Sequence, residues 1–218
     1  MGFPTINIEY LISIAISILC FVPALVLHEV AHGFAAYKLG DPTAKRAGRL
    51  SLNPLKHIDI FGTVILPLLL MLMKWPVIGY AKPVPYNPSY FKDPRRGDLI
   101  VGLAGPSANL IMALIAAAIA WLTTSLNNYY LMLFLFNFAA INLFLMFFNL
   151  LPIPPLDGSS IFAILIPRKY LPKYYKIQHY AMPIFMILIL IVPYVLNFNP
   201  IGLYLNLTAG NLLNLIFP

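Results

Sequence analysis

Long apolar runs separated by short polar or basic segments make up most of the chain. Three of these runs, at about 8–37, 99–122 and 131–150, reach the roughly 20 residues that an α-helix needs to cross a bilayer core. Two further runs, at about 181–196 and 201–217, lie near the carboxyl terminus. With a shorter run described next, the pattern predicts an all-α polytopic membrane protein with about six transmembrane segments.

The apolar run at 60–73 is too short to cross a membrane comfortably, and basic loops flank it on both sides. Lys and Arg concentrate in cytoplasmic loops, so a full span would place one of these loops on the wrong side. We therefore favour a re-entrant segment here, with a short tilted helix as the alternative. The segment that follows, 74–98, contains five prolines and predicts an extended, β-like loop at the membrane surface rather than a helix.

Composition and charge agree with a membrane protein. Of the 218 residues, 61% are hydrophobic and 10% are charged, against roughly 25% charged residues in soluble domains. The net charge of +7 comes from loops at 38–56, 74–96 and 168–176, which predicts that these loops are cytoplasmic and that the amino terminus is outside. Without a basic helix or an aromatic platform outside the apolar runs, we expect no nucleic acid partner.

The first apolar run carries a metal-binding pattern, His28-Glu29-Val30-Ala31-His32. Side chains four residues apart share one face of a helix, so both histidines can bind one metal ion, and the glutamate between them can act on its water. Ionisable groups inside a membrane are costly and are functional by default. Catalytic zinc takes three protein ligands and keeps one position for water, so a third ligand is required.

Asp157 is the best candidate for the third ligand, because prolines within 152–155 break the helix before it and free its carboxylate. A broken helix at membrane depth must line a protein cavity or water. Asp59 is the rival, although an aspartate in a basic loop is more often interfacial. His179 borders another basic loop, and we interpret it as a solvated or interfacial histidine. The single cysteine, Cys20, can form no internal disulfide.

Taken together, these residues and several longer motifs resemble the site-2 protease family of zinc intramembrane metalloproteases. The motifs cover about 25–167 and stand in the family's order: HEVAH at 28–32, RLSLNPLKHID at 49–59, GYAKPVPYNP at 79–88, GPSAN at 105–109 and NLLPIPPLDG at 149–158. No PDZ or nucleotide-sensing domain interrupts or follows them, so the chain resembles a minimal member.

The resemblance implies a role for each matching residue. It implies one zinc ion held by His28, His32 and Asp157, with Glu29 as the catalytic base and Asn149 stabilising the transition state. Asn109 matches a residue that packs the core and positions substrate, and the loop at 79–88 matches one that contacts substrate. The resemblance thus implies an endopeptidase that cleaves transmembrane segments of membrane-protein substrates.

We expect residues 1–218 to form a single membrane protease domain, with a catalytic core at about 8–167 and carboxyl-terminal helices at about 177–217. The expected location is the cell membrane, with multiple spans and the active site towards the cytoplasm. Expected partners are transmembrane protein or peptide substrates, the lipid bilayer and a regulatory membrane protein that the sequence does not identify. Two alternatives stay open, a catalytically silent relative that binds membrane helices and, less favoured, a metal transporter.

Overall fold

The computed structural model describes residues 8–65, 68, 69, 72, 81–178, 180, 185, 189, 192, 193, 195 and 197–218, and the regular structure of these residues is helical. The α-helices of the described residues are, in chain order, α1 (Ile8–Lys38), α2 (Thr43–Arg46), α3 (Pro94–Thr123), α4 (Tyr129–Asn149), α5 (Gly158–Leu165), α6 (Leu171–Gln178), α7 (Pro200–Leu205) and α8 (Asn211–Ile216). Single 3₁₀ turns occur at Pro54–Lys56, Pro88–Tyr90, Thr124–Leu126 and Arg168–Tyr170, and π-helical turns at Ile60–Ile65 and Asn206–Gly210.

Three helices of the described part, α1, α3 and α4, are long and apolar enough to cross a membrane. They coincide with the three long apolar runs of the sequence, so the prediction of a helical membrane protein is confirmed at this level. The predicted total of six spans is not. The run at 60–73 and the run at 181–196 lie partly outside the described residues, and the re-entrant segment stays a prediction.

The helix α3 begins at Pro94, five residues before the apolar run that predicted it. The Asp93 side chain accepts hydrogen bonds from the backbone N–H groups of Arg95 and Arg96, at 3.1 and 3.2 Å, and so caps the helix. Proline is well tolerated at the first helical position, where its missing N–H costs no hydrogen bond. The prediction that the whole of 74–98 is non-helical is therefore wrong for residues 94–98.

Residues 81–87, which precede α3 in the chain, form neither a helix nor a paired strand. We call this segment the proline loop, because it contains Pro83 and Pro85. It is non-helical as the sequence predicts, and no β-ladder forms within the described residues. Its amino-terminal continuation in the predicted extended loop, 74–80, lies outside the described residues.

The helices α1, α3 and α4 pack against one another and form the centre of the fold. The inner face of α3 is lined with small buried residues, which allow close approach of neighbouring helices: Gly102, Gly105, Ala113, Ala116, Ala117 and Ala120. Many large apolar side chains of α1 and α3 point outwards and are exposed, among them Ile18, Leu19, Ile111 and Leu122. Such an apolar exterior suits lipid rather than water.

The short helix α5 packs against α3. Arg95, in the first turn of α3, donates hydrogen bonds to the carbonyl groups of Ala163, Ile164 and Ile166 at the end of α5, at 3.0, 2.6 and 2.8 Å. A cationic side chain at a helix carboxyl terminus satisfies carbonyl groups that have no partner inside the helix. These contacts fix α5, and with it the residue just before it, Asp157.

Asp41 connects the turn after α1 to the proline loop. Its side chain is fully buried. One carboxylate oxygen accepts hydrogen bonds from the Thr43 hydroxyl and, at 2.8 Å, from the Thr43 N–H, and the other accepts from the Asn87 N–H at 2.6 Å. A single carboxylate therefore satisfies backbone donors of two separate segments.

We expect Asp41→Ala to destabilise the protein by roughly 2–4 kcal/mol, because it leaves two partly buried backbone N–H groups without acceptors and removes a fully buried side chain. Asp93→Ala is the matched control, since it removes an exposed helix cap worth about 1 kcal/mol. Thermal unfolding of the two variants in the same detergent measures the difference. An equal loss of stability in both would contradict the role given to Asp41.

Candidate metal centre

The helix α1 turns His28 and His32 towards the protein interior, where they are only 4% and 8% exposed. They lie one helical turn apart, as their spacing predicts, and their Nε2 atoms are 3.0 Å from each other. The rings meet nearly edge to face, with an interplanar angle of 83°. Both histidines thus present the same ring nitrogen to one point.

Asp157 reaches that point from the break between α4 and α5. Its Oδ2 atom lies 3.1 Å from His28 Nε2 and 3.3 Å from His32 Nε2. The three residues form the group of metal-type side chains that the described structure brings together. The rival ligand, Asp59, is not part of this group. It lies at the start of the π-helical turn, where its Oδ1 accepts a hydrogen bond from the Gly62 N–H at 2.7 Å. His179 lies outside the described residues.

The other ring nitrogens of the two histidines are committed to acceptors. His28 Nδ1 lies 2.5 Å from Asn109 Oδ1, and His32 Nδ1 lies 2.6 Å from the Val101 carbonyl oxygen. A carbonyl oxygen only accepts, so both Nδ1 atoms carry the hydrogen. In the neutral rings the two Nε2 atoms then carry no hydrogen. Each presents a lone pair, which is the form of histidine that binds a metal ion.

A buried network fixes the Asn109 amide in this orientation. Its Nδ2 donates to Asn142 Oδ1 at 2.8 Å and to the Ala24 carbonyl at 3.3 Å, which leaves Oδ1 facing His28. Asn142 in turn donates to the Phe138 carbonyl at 2.8 Å. Both asparagines are fully buried. The network connects α1, α3 and α4 directly behind the first histidine.

These donors fit one zinc ion. Two lone pairs and a carboxylate oxygen face each other across 3.0 to 3.3 Å, and Asp157 Oδ2 receives no hydrogen bond from the described residues. Three such acceptors repel one another unless a cation lies between them. A tetrahedral zinc ion with bonds of about 2.0–2.1 Å separates its ligands by roughly 3.3 Å. The three atoms therefore correspond to one face of a zinc tetrahedron, with the fourth corner open.

Gly105 of α3 leaves the space for such an ion. A Cβ atom at this position would lie 2.7 Å from His28 Nε2 and closer still to His32 Nε2. Any side chain there would collide with the Nε2 atoms of both histidines. This explains in physical terms why a glycine stands in the middle of a transmembrane helix, where it is otherwise unfavourable.

Glu29, between the histidines in sequence, is half-buried and lies on a neighbouring face of α1. Its Oε2 accepts a hydrogen bond from the Val84 N–H of the proline loop at 3.0 Å. Its Oε1 has no hydrogen bond from the described residues. The carboxylate is thus outside the set of metal donors and retains one free oxygen.

The structure does not bring Asn149 to the three donors. It stands at the last position of α4, and its Nδ2 donates to the Leu145 carbonyl of the same helix at 3.0 Å. The role that the family resemblance implies for Asn149 therefore stays a prediction, and it requires the side chain to rotate away from Leu145.

Sequence reasoning missed Asn142 and the special place of Gly105. One signal for Asn142 was available, because an amide inside an apolar helix is rare, and Asn142 lies seven residues, or two turns, before Asn149 on one face. The Val101 carbonyl and the Val84 N–H left no signal, since backbone groups make their long-range contacts without regard to the side chain they carry.

The comparisons with known proteins agree with the geometry. The family model described as peptidase family M50 matches residues 123–192, which include Asn149 and Asp157. The "Putative zinc metalloprotease YwhC" of Bacillus subtilis (strain 168) is 36% identical over 183 residues, which cover 78% of each chain. The chain belongs to peptidase family M50, the site-2 protease family.

Two further relatives are more distant. The "Putative zinc metalloprotease Rip2" of Mycolicibacterium smegmatis is 32% identical over 137 residues, 62% of this chain and 51% of the relative. The "Zinc metalloprotease MJ0392" of Methanocaldococcus jannaschii is 28% identical over 154 residues, 70% of this chain and 34% of the relative. No solved structure matches the chain. Membership of the M50 family supports a metallopeptidase.

For this M50 protein we expect Gly105→Ala to abolish zinc binding, because the added methyl group collides with the Nε2 atoms of both histidine ligands. Purified variant and wild type are compared for bound zinc after dialysis against zinc-free buffer. Ser107→Ala, on the exposed side of the same helix, is the control and should retain about one zinc per chain. Retention of tightly held zinc by Gly105→Ala would show that the ion binds elsewhere.

Proposed function

We propose that this M50 protein is a zinc-dependent intramembrane endopeptidase that cleaves transmembrane segments of membrane-protein substrates, as in regulated intramembrane proteolysis. The observation that carries the proposal is the set of three converging donors, with His28 and His32 buried in the apolar helix α1 and Asp157 at the break just before α5. A metal site built into a lipid-embedded helix is accessible to substrates that are themselves in the membrane.

The depth of the site supports cleavage below the lipid headgroups. At about 1.5 Å per residue, His28 lies about 15 Å along α1 from Lys38, which marks the basic end of the helix. We place that basic end in the cytoplasm and the protein in the cell membrane with about six spans, one short segment at 60–73 being re-entrant. The active site then opens towards the cytoplasmic side, from which water can enter.

In this proposal His28, His32 and Asp157 hold one zinc ion. When bound, zinc polarises the scissile carbonyl group and acidifies its water. Asn109 and the Val101 carbonyl hold the two imidazoles in the tautomer that binds metal. These second contacts also keep the rings from turning when the substrate enters.

Glu29 acts as the general base. Its free Oε1 takes a proton from the attacking water and returns it to the leaving amine of the cleaved peptide bond. Asn149, once rotated from the Leu145 carbonyl, donates its N–H to the developing oxyanion, a contact worth about 3 kcal/mol. The chain's residues thus bind the metal, move the proton and stabilise the charge.

The proline loop is proposed to pair with the unwound substrate backbone. Between Lys82 and Pro85 the N–H groups belong only to Lys82 and Val84, because the other two residues are prolines. Lys82 donates to the His57 carbonyl at 3.0 Å and Val84 to Glu29 at 3.0 Å. The loop therefore has carbonyl acceptors to offer, and the substrate supplies the N–H donors that unwinding its helix releases.

The alternatives predict different features. A silent relative that only binds membrane helices has no use for a carboxylate beside the donors with one oxygen free, as Glu29 has. A metal transporter needs polar groups at several depths, whereas the described residues hold one group of metal-type donors. Zinc flux into vesicles separates a transporter from a protease.

We expect Glu29→Gln to reduce cleavage of a transmembrane peptide at least ~100-fold, since a general base contributes about 10²–10⁴ to the rate. The zinc content should stay at the wild-type level, because Glu29 is not a ligand. Cleavage is measured in lipid vesicles, with chelator-treated wild type as the metal-free control. Full activity of Glu29→Gln would remove the proposed base.

Asp157→Asn should act differently from Glu29→Gln. Loss of the carboxylate charge weakens zinc binding, so the purified variant should contain less zinc and regain activity only when zinc is added in excess. Asp59→Asn is the matched control, because this aspartate caps a helical turn away from the donors. Unchanged zinc affinity in Asp157→Asn would exclude it as the third ligand.

A further inference from the structure

The hydrogen bond between the Val84 N–H and Glu29 Oε2 joins two parts of the proposed machinery that are far apart in sequence. Glu29 belongs to α1 and is the proposed base, while Val84 lies in the middle of the proline loop. The Val84 side chain is buried, at 6% exposed, so the donor is held in the interior.

The prolines on either side of Val84 restrict the backbone conformation around its N–H group. They have no N–H of their own, and they confine residues 82 and 84 to extended backbone, since each precedes a proline. The loop is fixed on both sides of Val84. Lys82 is bonded through its N–H to the His57 carbonyl and through its carbonyl to Arg49, and Asn87 is bonded through its N–H to Asp41.

Gly33 brings the loop close enough for the contact. It lies four residues after Glu29, one turn further on the same side of α1. A Cβ atom at position 33 would lie 2.9 Å from Val84 Cγ1 and 2.7 Å from Leu50 Cδ2, closer than real contacts allow. The glycine therefore forms a notch in which the Val84 side chain sits, with its N–H directed at Glu29.

We infer that Val84 is a positioning residue for the reaction: its backbone N–H holds Oε2 of Glu29, so that Oε1 is the oxygen that exchanges the proton with water. The inference rests on the proposed role of Glu29 as the base. A carboxylate held through one oxygen keeps the other in a fixed direction, which is the condition for efficient proton transfer. The segment that pairs with substrate thus also aligns the base.

The decisive experiment replaces Val84 by its α-hydroxy acid, which keeps the side chain and changes the amide N–H to an ester oxygen. We expect kcat for a transmembrane peptide to fall about tenfold, as part of the 10²–10⁴ that a general base contributes, with zinc content unchanged. The same exchange at Lys82 is the matched control. It removes a neighbouring anchor of the same loop without touching Glu29, and its effect should fall on KM.

An equal loss of kcat in the Val84 and Lys82 esters would overturn the inference, because general loosening of the loop would then explain both. An unchanged kcat in the Val84 ester would overturn it as well. Only a loss of kcat that is larger at Val84 than at Lys82 supports a positioning role.

A second measurement needs no activity. Hydrogen exchange of the Val84 N–H, followed by NMR of valine-labelled protein in detergent, should be slow in wild type and in Glu29→Gln, whose side-chain oxygen still accepts. It should be fast in Glu29→Ala. Equal exchange in wild type and Glu29→Ala would show that the hydrogen bond is absent. If exchange behaves as expected while Glu29→Gln remains fully active, the contact exists but Glu29 is not the base, so the positioning role fails although the protein is still a protease. Absence of cleavage by the wild type with zinc bound would instead contradict the proposed function.

Discussion

The structure depends on three acceptor atoms that face one another in an apolar interior. The Nδ1 hydrogens of His28 and His32 are committed to other acceptors, so no proton of the neutral rings is available to Asp157. Lipid offers no water to relieve the repulsion, and a buried carboxylate without a partner costs several kcal/mol. A divalent cation resolves the conflict directly, and the separations of the donors match its coordination. The hydrogen-bond geometry by itself therefore already favours a metal ion at this point.

The surrounding helices hold these three acceptor atoms in position. Asp157 can approach the histidines only because the chain leaves helical geometry after Asn149, and Arg95 then fixes α5 behind it. Gly105 keeps the centre open, and the buried amides of Asn109 and Asn142 are satisfied by each other and by backbone carbonyls. A half-satisfied polar network would be worse than an apolar core. Because these two amides have partners, the polar network behind the donors can exist inside an apolar bundle.

The features that could be predicted from the sequence are those that periodicity and local chemistry determine. Four-residue spacing put His28 and His32 on one face, and clustered prolines pointed to Asp157. The three long runs located the spanning helices. The start of α3 was misplaced, because proline was taken as a breaker although Asp93 makes Pro94 a helix start. The contacts of Asn142 and of the Val84 N–H could not be predicted, since they depend on how α1, α3, α4 and the proline loop meet in space.

The proline loop shows how an exposed backbone segment can be made selective. An unpaired extended segment normally offers both donors and acceptors and invites indiscriminate pairing. Here Pro83 and Pro85 remove two donors, and the Lys82 and Val84 N–H groups are turned inwards to His57 and Glu29. The carbonyls that remain can pair only with a chain whose N–H groups are free, and an intact transmembrane helix has none to spare. In the proposed function, the arrangement that favours an unwound substrate also holds the base in place, and recognition and proton transfer then depend on one short segment.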